Sequence, residues 1–145
     1  MKILIVAVGK VKERPLRAMV DEYAGRIRRY TGLEEIELED LPSAKLVPAM
    51  KRASGSAHLV ALDMGGRDLD SFGFAREVER LGSSGKGEIA FLIGGKEGLP
   101  SSLKTEAAAC LSLSRMTFPH RLARLMLVEQ IYRAMTILRG KPYGL

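Results

Sequence analysis

Apolar residues recur along this chain with two different periods. Lys2–Val8 (KILIVAV), residues 58–62 (HLVAL) and Glu88–Ile93 (EIAFLI) are short aliphatic runs closed by glycine or turn residues. That is the pattern of strands buried on both faces of a parallel sheet. Residues 33–38 alternate apolar side chains with glutamates, which predicts a more exposed strand near a sheet edge. Residues 111–113 predict a short last strand. The second period is helical. Leu16, Met19, Val20, Tyr23, Ala24 and Ile27 recur at spacings of three and four, with Pro15 in the first turn and a basic far end at Arg26, Arg28 and Arg29. Residues 43–53 predict a weaker helix, and residues after Asp70 or Ser71 a helix that turns Phe72, Phe74, Ala75, Val78 and Leu81 inward. Pro100 opens a short helix to about Ala109. A long helix follows Pro119, apolar at Leu122, Leu125, Met126, Val128, Ile131, Tyr132, Met135, Ile137 and Leu138, with Leu127 facing elsewhere. So wide an apolar arc is either central to the core or shared with a second subunit, and it predicts a homodimer.

Strands alternating with helices imply an α/β fold in one domain, residues 1–145, with a mostly parallel sheet covered by helices on both faces. In such sheets ligands gather beyond the carboxyl ends of the strands. Three loops compete for that edge: 63–68, read as a turn closing the third strand, 94–98, and 114–120.

Charge narrows the partner. The chain carries 23 Lys and Arg against 17 Asp and Glu. From residue 110 onward six basic residues (Arg115, Arg121, Arg124, Arg133, Arg139, Lys141) face one acid, Glu129, so five of the six net positive charges lie in the last quarter. That asymmetry points to a polyanion, with nucleic acid favoured over an acidic metabolite. No apolar run approaches the ~18 residues of a membrane span, and no signal-peptide pattern opens the chain, so a soluble, cytoplasmic protein is expected. The single Cys110 reads as an inert buried thiol, compatible with a reducing compartment. Two histidines and one cysteine give no metal-ligand spacing, so no metal site is expected.

Individual motifs leave choices open. Gly94, Gly95 and Gly98 lack the spacing of the dinucleotide fingerprint and the lysine-hydroxyl pair of a P-loop. They either let a backbone approach a ligand, in one reading a phosphate or nucleotide, or make a tight turn before Pro100. His120, at the mouth of the last helix, is a candidate base or anion contact, or a residue that fixes the local turn. Glu129 and Arg133 stand four apart, giving an ordinary surface pair or, if buried, a carboxylate that aims the arginine at a charged substrate. Arg121 and Arg124 are phosphate contacts or solvated cations.

Three segments together, residues 91–99 (FLIGGKEGL), 111–120 (LSLSRMTFPH) and 129–134 (EQIYRA), resemble the ribosomal RNA large-subunit methyltransferase H family, the pseudouridine N3-methyltransferase branch of the SPOUT superfamily. The likeness extends over the whole chain. It implies a C-terminal trefoil knot, S-adenosylmethionine bound in that knot, an obligate homodimer, and a pseudouridine of 23S ribosomal RNA as substrate on the assembled ribosome. By motif position, Leu62, Gly94 and the run Leu113, Ser114, Arg115, Met116, Thr117 and Phe118 line the cofactor pocket, with Gly95 permitting close approach. Arg133 matches an arginine on the RNA side. His120, Glu129 and Tyr143 are the candidates to assist catalysis, with Arg121, Arg124 and Lys141 toward RNA. One departure stands out: the family's members end in Pro-Tyr-His and a charged residue, whereas this chain ends Pro142, Tyr143, Gly144, Leu145. The altered end raises a second possibility, a ribosome-binding or RNA-binding factor that keeps the cofactor pocket with weakened catalysis.

Overall fold

The computed structural model describes residues 1–143; Gly144 and Leu145, where the altered C-terminus falls, lie outside the described residues. Five strands form one parallel sheet: β1 (Lys2–Val8), β2 (Gly32–Leu38), β3 (His58–Asp68), β4 (Glu88–Ile93) and β5 (Ala109–Ser112), in the order β2-β1-β4-β3-β5. The expected mostly parallel α/β sheet is therefore present. β1, β4 and β3, the three aliphatic runs, are its inner strands, and the glutamate-rich β2 and the short β5 are its edges.

Five helices connect the strands: α1 (Arg14–Ile27), α2 (Ser43–Ser54), α3 (Ser71–Gly82), α4 (Ser101–Glu106) and α5 (His120–Leu138). The pleat sends alternate residues of β1 to opposite layers. Ile3, Ile5 and Ala7 join the core under α1, α3 and α5, while Leu4, Val6 and Val8 join the core under α2 and α4. α5 packs against both α1 and α3, and Leu127, Val128 and Ile131 are fully buried. The wide apolar arc is thus largely consumed within the chain, and Leu127, expected to face elsewhere, sits in the middle of it. Leu122 and Met126 remain about two-fifths exposed, at 39% and 38%. Among the described residues no helix is long and apolar enough to cross a membrane.

Three further expectations need correction. Phe72 is 61% exposed. Asp70 accepts a hydrogen bond from the Gly73 amide at 2.7 Å and so starts the helix at Ser71, which faces Phe74, Ala75, Val78 and Leu81 inward and leaves Phe72 on the outer side. The helix after Pro100 stops at Glu106, because Ala107 is extended and the Ala108 amide bonds to Leu59 O at 2.8 Å; the last strand accordingly begins at Ala109. Residues 63–68, expected as a turn, continue β3. After an irregularity between Leu62 and Arg67, the strand pairs a second time with β5, Arg67 with Leu111 and Asp68 with Ser112. Only a residue without a side chain fits the crossing: a Cβ on Gly66 would stand 2.7 Å from the Leu111 carbonyl carbon and 2.8 Å from Cys110 O.

Gly66→Ala must therefore displace backbone and is expected to cost about 1–3 kcal/mol. Gly25→Ala is its control: within 4 Å a Cβ there meets nothing, on a helix, and the change is expected to stabilise by about 0.5–1 kcal/mol. Urea unfolding of the two variants should give shifts of opposite sign.

Candidate active site

Beyond the carboxyl ends of β4 and β5, against the irregular middle of β3, lies a cavity of about 820 Å³. Leu62 ends one wall, Ile93 to Gly98 form the second, and the segment from Leu113 to His120 forms the third. Of the nine residues expected around a cofactor, Leu62, Gly94, Gly95, Leu113, Ser114, Met116, Thr117 and Phe118 line this space. Arg115 does not: its side chain is 85% exposed and its Nε donates to Asp68 at 2.9 Å. Gly94 closes against backbone and Gly95 against a side chain. A Cβ on Gly94 would stand 2.4 Å from the Gly98 carbonyl carbon, and one on Gly95 would stand 2.9 Å from Val8 Cγ1. Gly98, at φ +76°, turns the loop back on itself and faces open space.

The third wall is chemically unusual because most of its backbone is not used for folding. Among the described residues, no backbone–backbone hydrogen bond engages residues 114–118; the backbone bonds present run from the Ser112 hydroxyl to Ser114 O at 2.9 Å and from the Met116 amide to the Ser114 hydroxyl at 2.9 Å. Amides and carbonyls left over in a cavity wall are donors and acceptors for a ligand edge. His120 completes this wall from the first turn of α5, its ring against Gly9, where a Cβ would be 3.0 Å from His120 Cε1. His120 Nδ1 is buried with no hydrogen-bond partner among the described residues. At the rim Asp63 accepts from the Gly65 amide at 3.0 Å and lies 3.6 Å from Lys104 Nζ. Cys110 is half-buried, and burial pushes its thiol up, which keeps it protonated and unreactive, in line with the inert thiol expected.

Arg124, expected at the surface toward RNA, is instead the largest fully buried side chain, 1% exposed. Its Nη1 lies 2.6 Å from Glu37 and 3.1 Å from Glu35, and its Nη2 donates to Gly9 O at 2.8 Å. Arg17 shares Glu35 at 2.6 Å, so two arginines and two carboxylates balance under the first turns of α1 and α5. An arginine with this many fixed acceptors is a structural tie and not a phosphate contact. Arg121 is half-exposed and pairs with Glu13 at 3.0 Å, while Lys141 is exposed.

The remaining candidates lie toward the other end of α5. Arg133 Nη2 lies 2.7 Å from Glu129, and the same carboxyl oxygen accepts from the Tyr143 phenol at 2.9 Å. Gln130 Nε2 donates to the other Glu129 oxygen at 2.8 Å. The hydrogen bond to Glu129 raises Arg133 above its ordinary value. Burial, then hydrogen bonds with Tyr23 and Glu129, push the Tyr143 phenol well above its ordinary range. Arg133 is therefore a permanent cation aimed by its counter-ion, and Tyr143 stays protonated. Along the helix, 13 residues at 1.5 Å each separate His120 from Arg133 by roughly 20 Å.

Comparison with known proteins decides the family. The family described as predicted SPOUT methyltransferases matches residues 1–144. The ribosomal RNA large subunit methyltransferase H of Sorangium cellulosum is 57% identical over 144 residues, 99% of each chain. That of Natranaerobius thermophilus is 42% identical over 158 residues, again 99% of each chain. The chain belongs to the ribosomal RNA large subunit methyltransferase H family, within the SPOUT methyltransferases. Solved structures agree in fold. A probable methyltransferase from Bordetella pertussis covers 92% of this chain and 94% of its own at TM-score 0.60 and 12% identity. The SpoU methyltransferase AviRb of Streptomyces viridochromogenes, in complex with the cofactor AdoMet, covers 97% of this chain and 59% of its own at TM-score 0.51 and 14% identity.

For this methyltransferase-family chain, sequence patterns located the cavity and missed two things. Nothing in the spacing of Arg124 separates a buried arginine from an exposed one; the clue available was the pair Glu35 and Glu37 on one face of β2. The convergence of Tyr23 and Tyr132 with Tyr143 around Glu129 had no local signal, since the partners come from three separate segments.

Two measurements check this description. Arg124→Met leaves Glu37 without its closest cation and is expected to destabilise by about 3 kcal/mol in denaturant titration; a change under about 0.5 kcal/mol would contradict the tie. In spectrophotometric titration, Tyr143→Phe should remove a phenol that ionises well above the ordinary range. Because the folded-state value is raised, the stability it contributes is whole below the unfolded value of about 10 and is lost as pH climbs through the folded value.

Proposed function

We propose that this chain methylates N3 of a pseudouridine in 23S ribosomal RNA on the assembled ribosome, in the cytoplasm, using S-adenosylmethionine and acting as a homodimer. The observation that carries the reading is the third cavity wall: a segment with unspent backbone donors and acceptors in a space of drug-like size, on a chain 57% identical to an enzyme named for large-subunit RNA methylation. The wall suits an adenosine, since residues 114–118, apart from the Ser114 carbonyl and the Met116 amide, leave backbone donors and acceptors for the base edge while Leu62, Leu113 and Phe118 supply apolar cover. Asp63 at the rim suits a cationic amino or sulfonium group. Once bound, this cofactor supplies an electrophilic methyl group. The chain's trefoil knot is part of the same proposal.

The residues divide the remaining work. Methyl transfer needs the imide nitrogen anionic and held in line at near-attack distance. Arg133, aimed by Glu129, stabilises that anion, and Tyr143 and Gln130 hold Glu129 still. His120 walls the cavity; its Nδ1 has no orienting partner among the described residues, which an efficient general base needs. The imide proton accordingly leaves to water. A single chain holds Arg133 ten residues beyond Ala123, the last α5 residue lining its own cavity, roughly 15 Å along the helix, so Arg133 serves the cavity of a second copy. The exposed Met64, Phe72, Met116, Leu122 and Met126 provide apolar surface for that pairing.

Incubating ribosomes with methyl-labelled S-adenosylmethionine and the protein should place label in large-subunit RNA, at N3 of a pseudouridine by mass spectrometry of the digest. Arg133→Ala should keep cofactor affinity within about twofold and lose about 100-fold in turnover. Ribosome binding without label would instead establish the weakened binding factor, and full turnover in Arg133→Ala would remove that residue from the mechanism.

A further inference from the structure

Among the described residues, a cluster of positive charge with few ion-pair partners lies away from the cavity, where α1 and α5 both end. Arg26, Arg28 and Arg29 close α1, Arg139 and Lys141 follow α5, and Arg133 lies just before them. Against these six cations stand Glu22, 3.6 Å from Arg26, and Glu129, 2.7 Å from Arg133. At the cavity end the accounting is different: Arg121 is paired with Glu13 and Arg124 is buried among carboxylates. Two helix C-termini contribute roughly half a negative charge each, too little to offset a net of about four positive charges.

All four tyrosines of the chain meet at this same place. Tyr132 is 4.6 Å from Tyr143, 6.0 Å from Tyr23 and 6.4 Å from Tyr30, centroid to centroid. Arginines lie over these rings: Arg26 at 5.2 Å from Tyr23, Arg133 at 4.8 Å from Tyr143, Arg139 at 5.5 Å from Tyr30. A guanidinium laid on a ring loses rotational freedom and keeps its N–H edge for a planar oxyanion. Arg29, Arg139 and Lys141 have no carboxylate partner among the described residues.

We propose that Arg26, Arg28, Arg29 and Arg139, the tyrosine-backed arginines around Arg133, form a docking surface for RNA phosphates that holds the substrate beside the reacting base without contacting the cofactor. The inference rests on the RNA-methyltransferase reading for the identity of its partner. It adds Arg26, Arg28, Arg29 and Arg139 to the RNA-facing residues and removes Arg124 from them. Phosphate recognition, and not base reading, is what it performs: charged donors on half-buried rings track a backbone of any sequence.

The test compares two double variants of equal charge loss, Arg29→Gln with Arg139→Gln on the surface and Lys45→Gln with Arg52→Gln on the exposed side of α2. Binding to large-subunit ribosomal RNA is measured across a salt series without cofactor, alongside S-adenosylmethionine affinity and methyl transfer. The surface pair should lower the slope of log K against log salt by roughly 1.4–1.8, from two lost phosphate contacts. It should raise the KM for RNA with kcat little changed, and leave cofactor affinity alone; the α2 pair should do none of this. Equal slopes for the two pairs, or wild-type binding to polyglutamate that competes fully with RNA, would overturn the docking surface. Wild-type protein that binds RNA with the expected slope loss in the surface pair, yet transfers no methyl, would sink the enzymatic reading and leave the surface standing.

Discussion

Arg124 is the point through which this structure is held. A guanidinium at 1% exposure is costly to bury unless it is met by charge and hydrogen bonds, and here Glu37, Glu35 and the Gly9 carbonyl meet it. Those three acceptors belong to β2 and to the end of β1, whereas Arg124 is one turn into α5. The contact joins the last helix to the first two strands and so links residues more than 85 positions apart. Apolar packing against α1 and α3 would let α5 slide by a turn at modest expense. The charged tie does not, because a shifted Arg124 would strand two carboxylates.

Fixing α5 in this register has consequences at both of its ends. The first turn brings His120 against Gly9 and completes the wall of the cavity beyond β4 and β5. The far end carries Arg133 and the tyrosine cluster to the opposite edge of the sheet. One rigid helix therefore separates the cavity from Arg133. Within the proposed function that separation is the physical argument for two chains acting together. The apolar width of α5, by contrast, is a weaker argument for pairing than its sequence suggests, because α1 and α3 already cover most of it.

What could be read from residues alone follows from the range of the forces involved. The strand types, the edge strand and the carboxyl-edge cavity come from local periodicity: the aliphatic β1 and β4 read as buried and the glutamate-rich β2 as an edge, whereas the strand order depends on pairings that no local pattern states. Loop 114–118 was legible because the resemblance covers it without a gap. The errors arose where a distant partner overrides a local pattern. Gly65 and Gly66 look like a turn and are a crossing over β5, since only backbone geometry elsewhere tells a glycine kept for a turn from one kept for a close approach. Phe72 was assigned inward by its apolarity, although the Asp70 cap sets the phase of α3 and puts it outside. Arg124 was grouped with Arg121 by type, and only the tertiary placement of Glu35 and Glu37 distinguishes them.

The central claim is that cavity and Arg133 act across two copies, and mixed dimers test it most directly. Ser114→Trp fills the cavity and leaves Arg133 intact; Arg133→Ala does the reverse. Each variant alone should be inactive on ribosomes. After the two are co-refolded in equal amounts, half the dimers carry one cavity facing one intact arginine, and activity should return to roughly a quarter of the wild-type level, as a two-fold symmetric pair requires. A mixture that stays as inactive as its parents would contradict the account and place the whole site within a single chain.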